Sequence, residues 1–228
     1  MKALIVGYGS IGARHARLLT DMGLDVSVVS KREVDFPATH RSLSEAMSVE
    51  RPDYIVVANV TSEHLDTVTA LAQADYRGIV LVEKPIFSAC AAIPVAAFGK
   101  RGVAYNLRFH PLLARLKSLL AGEVILSATA YVGQYLPEWR PAVDYRTSYS
   151  ASRRLGGGVL NDISHELDYL AWLLGPINRV AAIGGKYSEL EIDSDDIFSL
   201  LMRSENCPAI SLEMNYLDRA GRRFVIVN

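Results

Sequence analysis

The chain has 228 residues, half of them apolar and 21% charged, enough to bury about 70% of its unfolded surface as one large domain or two small ones. Its 24 Lys and Arg against 25 Asp and Glu leave a net charge of −1, so no general field draws nucleic acid or an acidic membrane. Cys90 and Cys207 stand far apart in apolar surroundings, giving neither metal spacing nor a disulfide framework; buried thiols in a reducing cytoplasm and no metal site are expected.

MKALIV is too brief for the apolar core of a signal peptide, and IFSACAAIPVAAFG is short and carries Pro94, so no membrane span is expected. Residues 2–6 read as a buried strand, followed by a glycine turn and a helix over SIGARHARLLTDMG. LDVSVVS predicts a second strand, SLSEAMS a short helix and DYIVVAN a third strand. SEHLDTVTALAQAD predicts a helix capped by Thr61 or Ser62, and GIVLVEKP a fourth strand. IFSACAAIPVAAFGK suggests a weaker helix or turn, GVAYNLRF a fifth strand, and PLLARLKSLLAG a helix with Pro111 in its first turn. Strands with near-continuous apolar runs, alternating with helices, indicate a parallel sheet covered on both faces.

After residue 123 the strand-like runs EVILSATAYVGQYL, RVAAIGGKY, DIFSLLMRS, PAISLEMNYL and RRFVIVN follow one another without helices between them, except over 156–175. The expected fold is therefore an α/β Rossmann domain over 1–118, followed over 119–228 by an α+β domain with an open, mostly antiparallel sheet.

GYGSIG places Gly7, Gly9 and Gly12 in the G-x-G-x-x-G pattern between a strand and a helix, the context that a dinucleotide fingerprint requires. The first turn of that helix, Ser10 and Ile11 included, then offers N–H groups and a positive dipole to a pyrophosphate. At the end of the second strand, where an acid holds the ribose hydroxyl of NAD, stand Ser30, Lys31 and Arg32, with Glu33 one place late. A hydroxyl and two cations suit a 2′-phosphate, so NADP is expected in preference to NAD. The alternative is that Lys31 and Arg32 are solvated loop charges.

GGGVLNDISHELDYLAWLLG, read as one helix, puts Ile163, Leu167, Leu170, Ala171 and Leu174 on a core stripe and Asp162, His165, Tyr169 and Trp172 nearly opposite. A merely solvated face favours Lys and Glu over that set, so this second face is expected to meet a ligand or another protein layer.

GYGSIGARH, ANVTSEH, VEKPIF, NLRFHP and GGGVLNDISHELD occur in the order of the glucose–fructose oxidoreductase and inositol 2-dehydrogenase (Gfo/Idh/MocA) family, which the chain resembles over essentially its whole length. HELDYL looks like members associated with bacterial surface-sugar pathways. The resemblance implies hydride transfer between a nicotinamide cofactor and a hydroxyl or keto carbon of a sugar, sugar nucleotide or cyclitol.

It further implies that Asn59, Thr61, His64, Glu83 and Lys84 flank the cofactor, and that Lys84, Asn106, Arg108, Asp162 and His165 meet the substrate. Lys84, at the carboxyl end of a parallel strand, would hydrogen-bond the reacting hydroxyl. His165 would take its proton, and Asp162 would orient His165 or hold a neighbouring hydroxyl. Asp162 as a helix N-cap, His165 as a half-buried histidine on backbone, and His64 as a plain helix-start residue are the structural alternatives. Arg108 is read either as a clamp on a substrate anion or as a surface ion pair. Tyr145, Arg146 and Arg153 are second-tier candidates, Tyr169 and Trp172 pack behind the site, Asp168 is structural, and Arg14 and His15 carry no catalytic role.

The family's commoner pattern sets the Asp four residues before the His. Here Asp162 precedes His165 by three and Asn161 holds the four-residue place, which leaves open which of them orients the histidine. Family members are usually longer, so the second sheet is expected to be incomplete, and a homo-oligomer through that sheet is an expectation of the resemblance. Two other readings stand beside the oxidoreductase: an NAD-dependent glycosidase with no net redox change, and a non-catalytic cofactor-binding protein.

Overall fold

The computed structural model describes residues 1–92 and 98–228. The chain divides into two units, Met1–Ala104 and Tyr105–Asn228, earlier than the 118/119 division read from the sequence.

In the first unit the strands are β1 (Lys2–Val6), β2 (Asp25–Val29), β3 (Thr39–His40), β4 (Tyr54–Val57), β5 (Ile79–Val82) and β6 (Lys100–Val103). They form one sheet in the order β3-β2-β1-β4-β5-β6, every neighbouring pair parallel. Successive residues of a strand point to opposite faces, and both faces are covered. Leu4 and Val6 join the layer of α2 (Leu43–Glu50) and α3 (His64–Gln73), while Ala3 and Ile5 pack with Ala16 of α1 (Ser10–Asp21). This double burial is why the strands read as continuous apolar runs.

Three expectations are corrected here. The expected fifth strand, 102–109, ends at Val103, and Asn106–Phe109 forms a 3₁₀ turn; the alternation in AYNLRF imitates a strand in a run too short to be arbitrated by period. Neither Thr61 nor Ser62 caps α3: Thr61–Glu63 is a 3₁₀ turn leading into the helix, whose N-cap position is Glu63. Of the helix or turn expected over 86–100, residues 93–97 lie outside the described residues, and 86–92 contain no helix.

The second unit holds α4 (Pro111–Leu119), β7 (Ala128–Gly133), α5 (Val159–Asp162), α6 (His165–Leu174), β8 (Ile177–Gly185), β9 (Ile197–Ser204), β10 (Ile210–Asn215) and β11 (Arg222–Val227). Its sheet runs β11-β7-β10-β9-β8, antiparallel except for the β7–β10 pair. Leu200, Met202, Leu212 and Met214 face inward with Leu170 and Leu174 of α6, and Leu113 and Leu116 of α4 pack against the same cluster. That packing assigns α4 to this unit. The opposite sheet face leaves Ile183, Leu201, Phe224 and Ile226 exposed.

The helix read over 156–175 is two helices. Ile163 leaves helical geometry (φ −106°, ψ 30°), so the wheel is re-phased at His165. The buried residues of α6 are Glu166, Tyr169, Leu170, Leu173 and Leu174, spaced i, i+3, i+4, i+7 and i+8 as an amphipathic helix requires. Tyr169 is therefore core, 2% exposed, and does not share a face with Asp162. Cys207 is buried as expected, but Cys90, expected to be buried as well, is exposed. Among the described residues, no helix is long and apolar enough to cross a membrane.

Candidate functional site

The strand order reverses direction at β1 and β4, the switch point at which open α/β sheets bind ligands. There the β1–α1 turn presses against β4: Gly7 has φ +97°, and a Cβ on it would stand 2.5 Å from the backbone of Asn59. A Cβ on Gly12 would stand 2.0 Å from the carbonyl oxygen of Gly7. Beyond this tight packing, Gly9 has no atom within 4 Å of where a Cβ would lie. Gly9 is the N-cap of α1, with no side-chain cap and no acid in the first turn. Ser10 and Ile11, both exposed, open that turn, where helix N–H groups lack intrahelical partners. An uncapped, acid-free helix start with open space before it fits a pyrophosphate.

At the end of β2 the Ser30 hydroxyl donates to the Arg32 carbonyl (2.8 Å) and accepts the Arg32 N–H (3.2 Å). Ser30 is buried and shapes the turn that displays the next two side chains. Lys31 is exposed and meets Glu63 at 2.7 Å. Glu33 lies 3.8 Å from Arg41. Asn59 donates to Glu63 (3.3 Å) and Thr67 (3.0 Å), and Thr61 is buried beside it.

Glu83, Lys84 and Pro85 leave the carboxyl end of β5, with a cis Lys84–Pro85 peptide. Glu83 accepts the Lys84 N–H (3.1 Å) through Oε2 and lies 2.6 Å from His15 Nε2 through Oε1. His64 is buried, its Nδ1 facing the carbonyls of Pro85 (3.1 Å) and Ile86 (3.2 Å) and its Nε2 that of Asn59 (3.1 Å). It is thereby placed to hold the loop backbone. Burial pushes the His64 imidazole below the usual histidine value. On acidification the unfolded chain then takes up the proton first, so stability present above about pH 6.5 is lost as the pH falls below it. Urea unfolding at pH 7.5 and 5.5 should show a larger fall in midpoint for the parent than for His64→Asn; equal falls would refute this.

In the second unit, His165 opens α6 and its ring lies edge-on to Tyr105, centroids 5.6 Å apart at 79°. Asp162 is the last residue of α5, not an N-cap. Its Oδ2 accepts from the Ser150 hydroxyl and, at 3.1 Å, from the buried Tyr216. Arg108 grips Asp168 with two bonds of 2.8 and 2.6 Å, the ion-pair alternative of the two read from the sequence. Asn106 is exposed in the same turn. Arg146 pairs with Asp144 and Glu191, and the Tyr145 hydroxyl accepts the Glu191 N–H. Exposed Arg153 binds Asp193 through its backbone N–H. Trp172 carries Lys117 over its ring at 4.4 Å. Gly158, at φ +110°, turns the chain into α5, whose Leu160 N–H is taken by Asp195. Among the described residues, no group of His, Cys, Asp and Glu is arranged to hold a metal ion.

The structure adds His15, Glu63, Ser150 and Tyr216 to the residues read from the sequence.

A parallel sheet whose switch point carries this glycine turn defines a Rossmann-type nucleotide-binding unit. Residues 1–104 match the oxidoreductase family with an NAD-binding Rossmann fold, and residues 114–227 match the Gfo/Idh/MocA C-terminal domain. The chain belongs to the Gfo/Idh/MocA oxidoreductase family. None of the curated proteins matches it. Among solved structures it is similar to the WlbA dehydrogenase of Bordetella pertussis in complex with NADH and UDP-GlcNAcA, at 22% identity and TM-score 0.83, covering all of this chain and 70% of that one. A putative NADPH-dependent oxidoreductase from Desulfitobacterium hafniense gives 17%, 0.82 and the same coverages. Levoglucosan dehydrogenase, in complex with NADH and levoglucosan, gives 17%, 0.77, all of this chain and 70% of that one. At these identities the likenesses show the fold.

Proposed function

We propose that this protein oxidises a hydroxyl, or reduces the matching keto group, of a sugar, sugar nucleotide or cyclitol with a nicotinamide dinucleotide, NADP in preference to NAD. The observation that carries the reading is the open, uncapped start of α1 at the β1/β4 switch point. Ser10, Ile11 and Gly12 would hold the pyrophosphate through their N–H groups, and Asn59, Thr61, Glu83 and Lys84 would flank the rest of the cofactor. When bound, the nicotinamide supplies the acceptor or donor for hydride.

The residues of the chain handle the proton and the orientation. His165 takes the hydroxyl proton, Lys84 hydrogen-bonds the reacting oxygen, and Asp162, held by Ser150 and Tyr216, orients the neighbouring hydroxyl or the histidine. Asn106, exposed in its turn, would add a substrate hydrogen bond. The sugar class is supported by the family and by the sugars named for two similar structures, UDP-GlcNAcA and levoglucosan.

The preference for NADP rests on Lys31 and Arg32, displayed by the Ser30 turn. The Lys31–Glu63 pair is exposed on the lysine side, 78%, and such pairs yield readily, being worth about 0–1 kcal/mol. Parallel calorimetric titrations test the reading: NADPH should bind more tightly than NADH, and Glu63→Gln, by releasing Lys31, should widen the gap. Tighter NADH binding would refute the preference. Binding of neither dinucleotide by the folded protein would refute the function.

A further inference from the structure

We propose that His15 is a positioning residue that couples the phosphate-binding turn to the backbone of Lys84. The inference rests on the dinucleotide reading for its ligand but not for its geometry. β5 ends at Val82, and the sheet's last rung on this strand is the Glu83 N–H donated to the Val57 carbonyl (2.8 Å). The next N–H, that of Lys84, lies beyond the ladder, and the Glu83 carboxylate folds back to accept it.

A buried carboxylate is costly unless it is paired, and His15 supplies the partner at 2.6 Å, with both side chains largely shielded (19% and 11% exposed). Bonds this short with an ionised partner are about twice as strong as neutral ones. His15 itself stands on α1, three residues from Gly12, whose backbone is locked against the Gly7 carbonyl. A continuous path thus runs from the phosphate turn through α1, His15 and Glu83 to the Lys84 N–H. On the far side of Lys84, His64 on α3 faces the Pro85 and Ile86 carbonyls. Lys84 is therefore held on both sides, and the His15 imidazole supports the side nearer the phosphate turn. A dinucleotide that stiffens the start of α1 stiffens Lys84 through that imidazole.

The test is amide hydrogen exchange at Lys84, read by NMR, in the parent, His15→Phe and His15→Gln, with and without saturating NADH or NADPH. Phe keeps the ring's bulk without the bond, and Gln restores an N–H donor. Without ligand, His15→Phe should exchange about five- to tenfold faster at Lys84, the loss of one hydrogen bond, and His15→Gln should recover most of the protection. With the dinucleotide, exchange at Lys84 should slow in the parent and in His15→Gln but not in His15→Phe, while all three still bind the ligand. Ligand-free exchange in His15→Phe equal to the parent would overturn the clamp. Equal slowing by the dinucleotide in all three proteins would overturn the coupling. Failure of the parent to bind either dinucleotide overturns the cofactor reading and with it the coupling, while the ligand-free comparison still decides the clamp.

Discussion

Lys84→Ala and His165→Asn are each expected to lower turnover of the best sugar substrate by about 10²–10⁴-fold, with the dinucleotide Kd of His165→Asn held within about threefold of the parent. In the proposed reaction the two side chains have different duties toward the reacting hydroxyl. Removing the lysine takes away a hydrogen bond that grows as the oxygen's charge develops, while removing the histidine leaves the departing proton without an acceptor. Both losses fall on the transition state, so kcat should drop with little change in KM. His165 also stands on a turn fixed from two sides, which suits a group that must be held in place. Glu166 beside it is buried against Arg223 (2.8 Å), and Asp168, one turn in, is gripped by Arg108. Turnover by His165→Asn equal to the parent would remove the histidine from the mechanism. A raised KM at unchanged kcat for either variant would make that residue a binding contact only.

Much of the Rossmann unit was legible because its signals are local. A buried strand, a glycine turn and a helix in sequence leave few alternatives, and double burial makes β1, β2, β4 and β5 near-continuous apolar runs. What failed were phases and ends. The helix read over 156–175 was given one rotation, but the chain leaves the helix at Ile163. Every residue after that break is rotated relative to those before it, and so Tyr169 moved from the ligand face to the core. GVAYNLRF alternates like a strand, yet Asn106–Phe109 is wound into a tight turn, and that winding is what gives Arg108 its grip on Asp168. No periodicity in an eight-residue window distinguishes the two.

Site residues divided along the same line. Gly7, Gly9, Gly12 and Lys84 announce themselves by position at strand ends. The partners that tune them do not. Asp162 is held by Ser150 and by Tyr216, the latter 54 residues away on the chain, and Lys31 is met by Glu63, 32 residues on. Those pairings exist only once the strands are in register. His15 was given no catalytic role because a histidine on a surface helix carries no signal alone. Its meaning comes from Glu83, 68 residues later, which the parallel order of the sheet brings beside it.

Gly12→Val and Gly9→Val should separate the two duties of the glycine turn. At Gly12 a Cβ would lie 2.0 Å from the Gly7 carbonyl oxygen. That oxygen is backbone, so no rotamer relieves the clash, and either the turn opens or α1 lifts from β1. The expected result is loss of dinucleotide binding by about 100-fold or more together with a destabilisation of about 1–3 kcal/mol, the usual cost of overpacking. At Gly9 the backbone is in an ordinary region (φ −86°, ψ −166°) and the added carbon meets nothing within 4 Å. Stability should therefore change little, the freedom lost by the unfolded chain offsetting a poorer N-cap residue. Yet the side chain would stand in the open space before the α1 N–H groups, and binding should fall about as far as it does for Gly12→Val. A Gly9→Val protein that melts with the parent but no longer binds dinucleotide places the phosphate at this turn. If it binds as the parent does, the open start of α1 is not where the dinucleotide rests, and the glycines serve only to pack the helix on its strand.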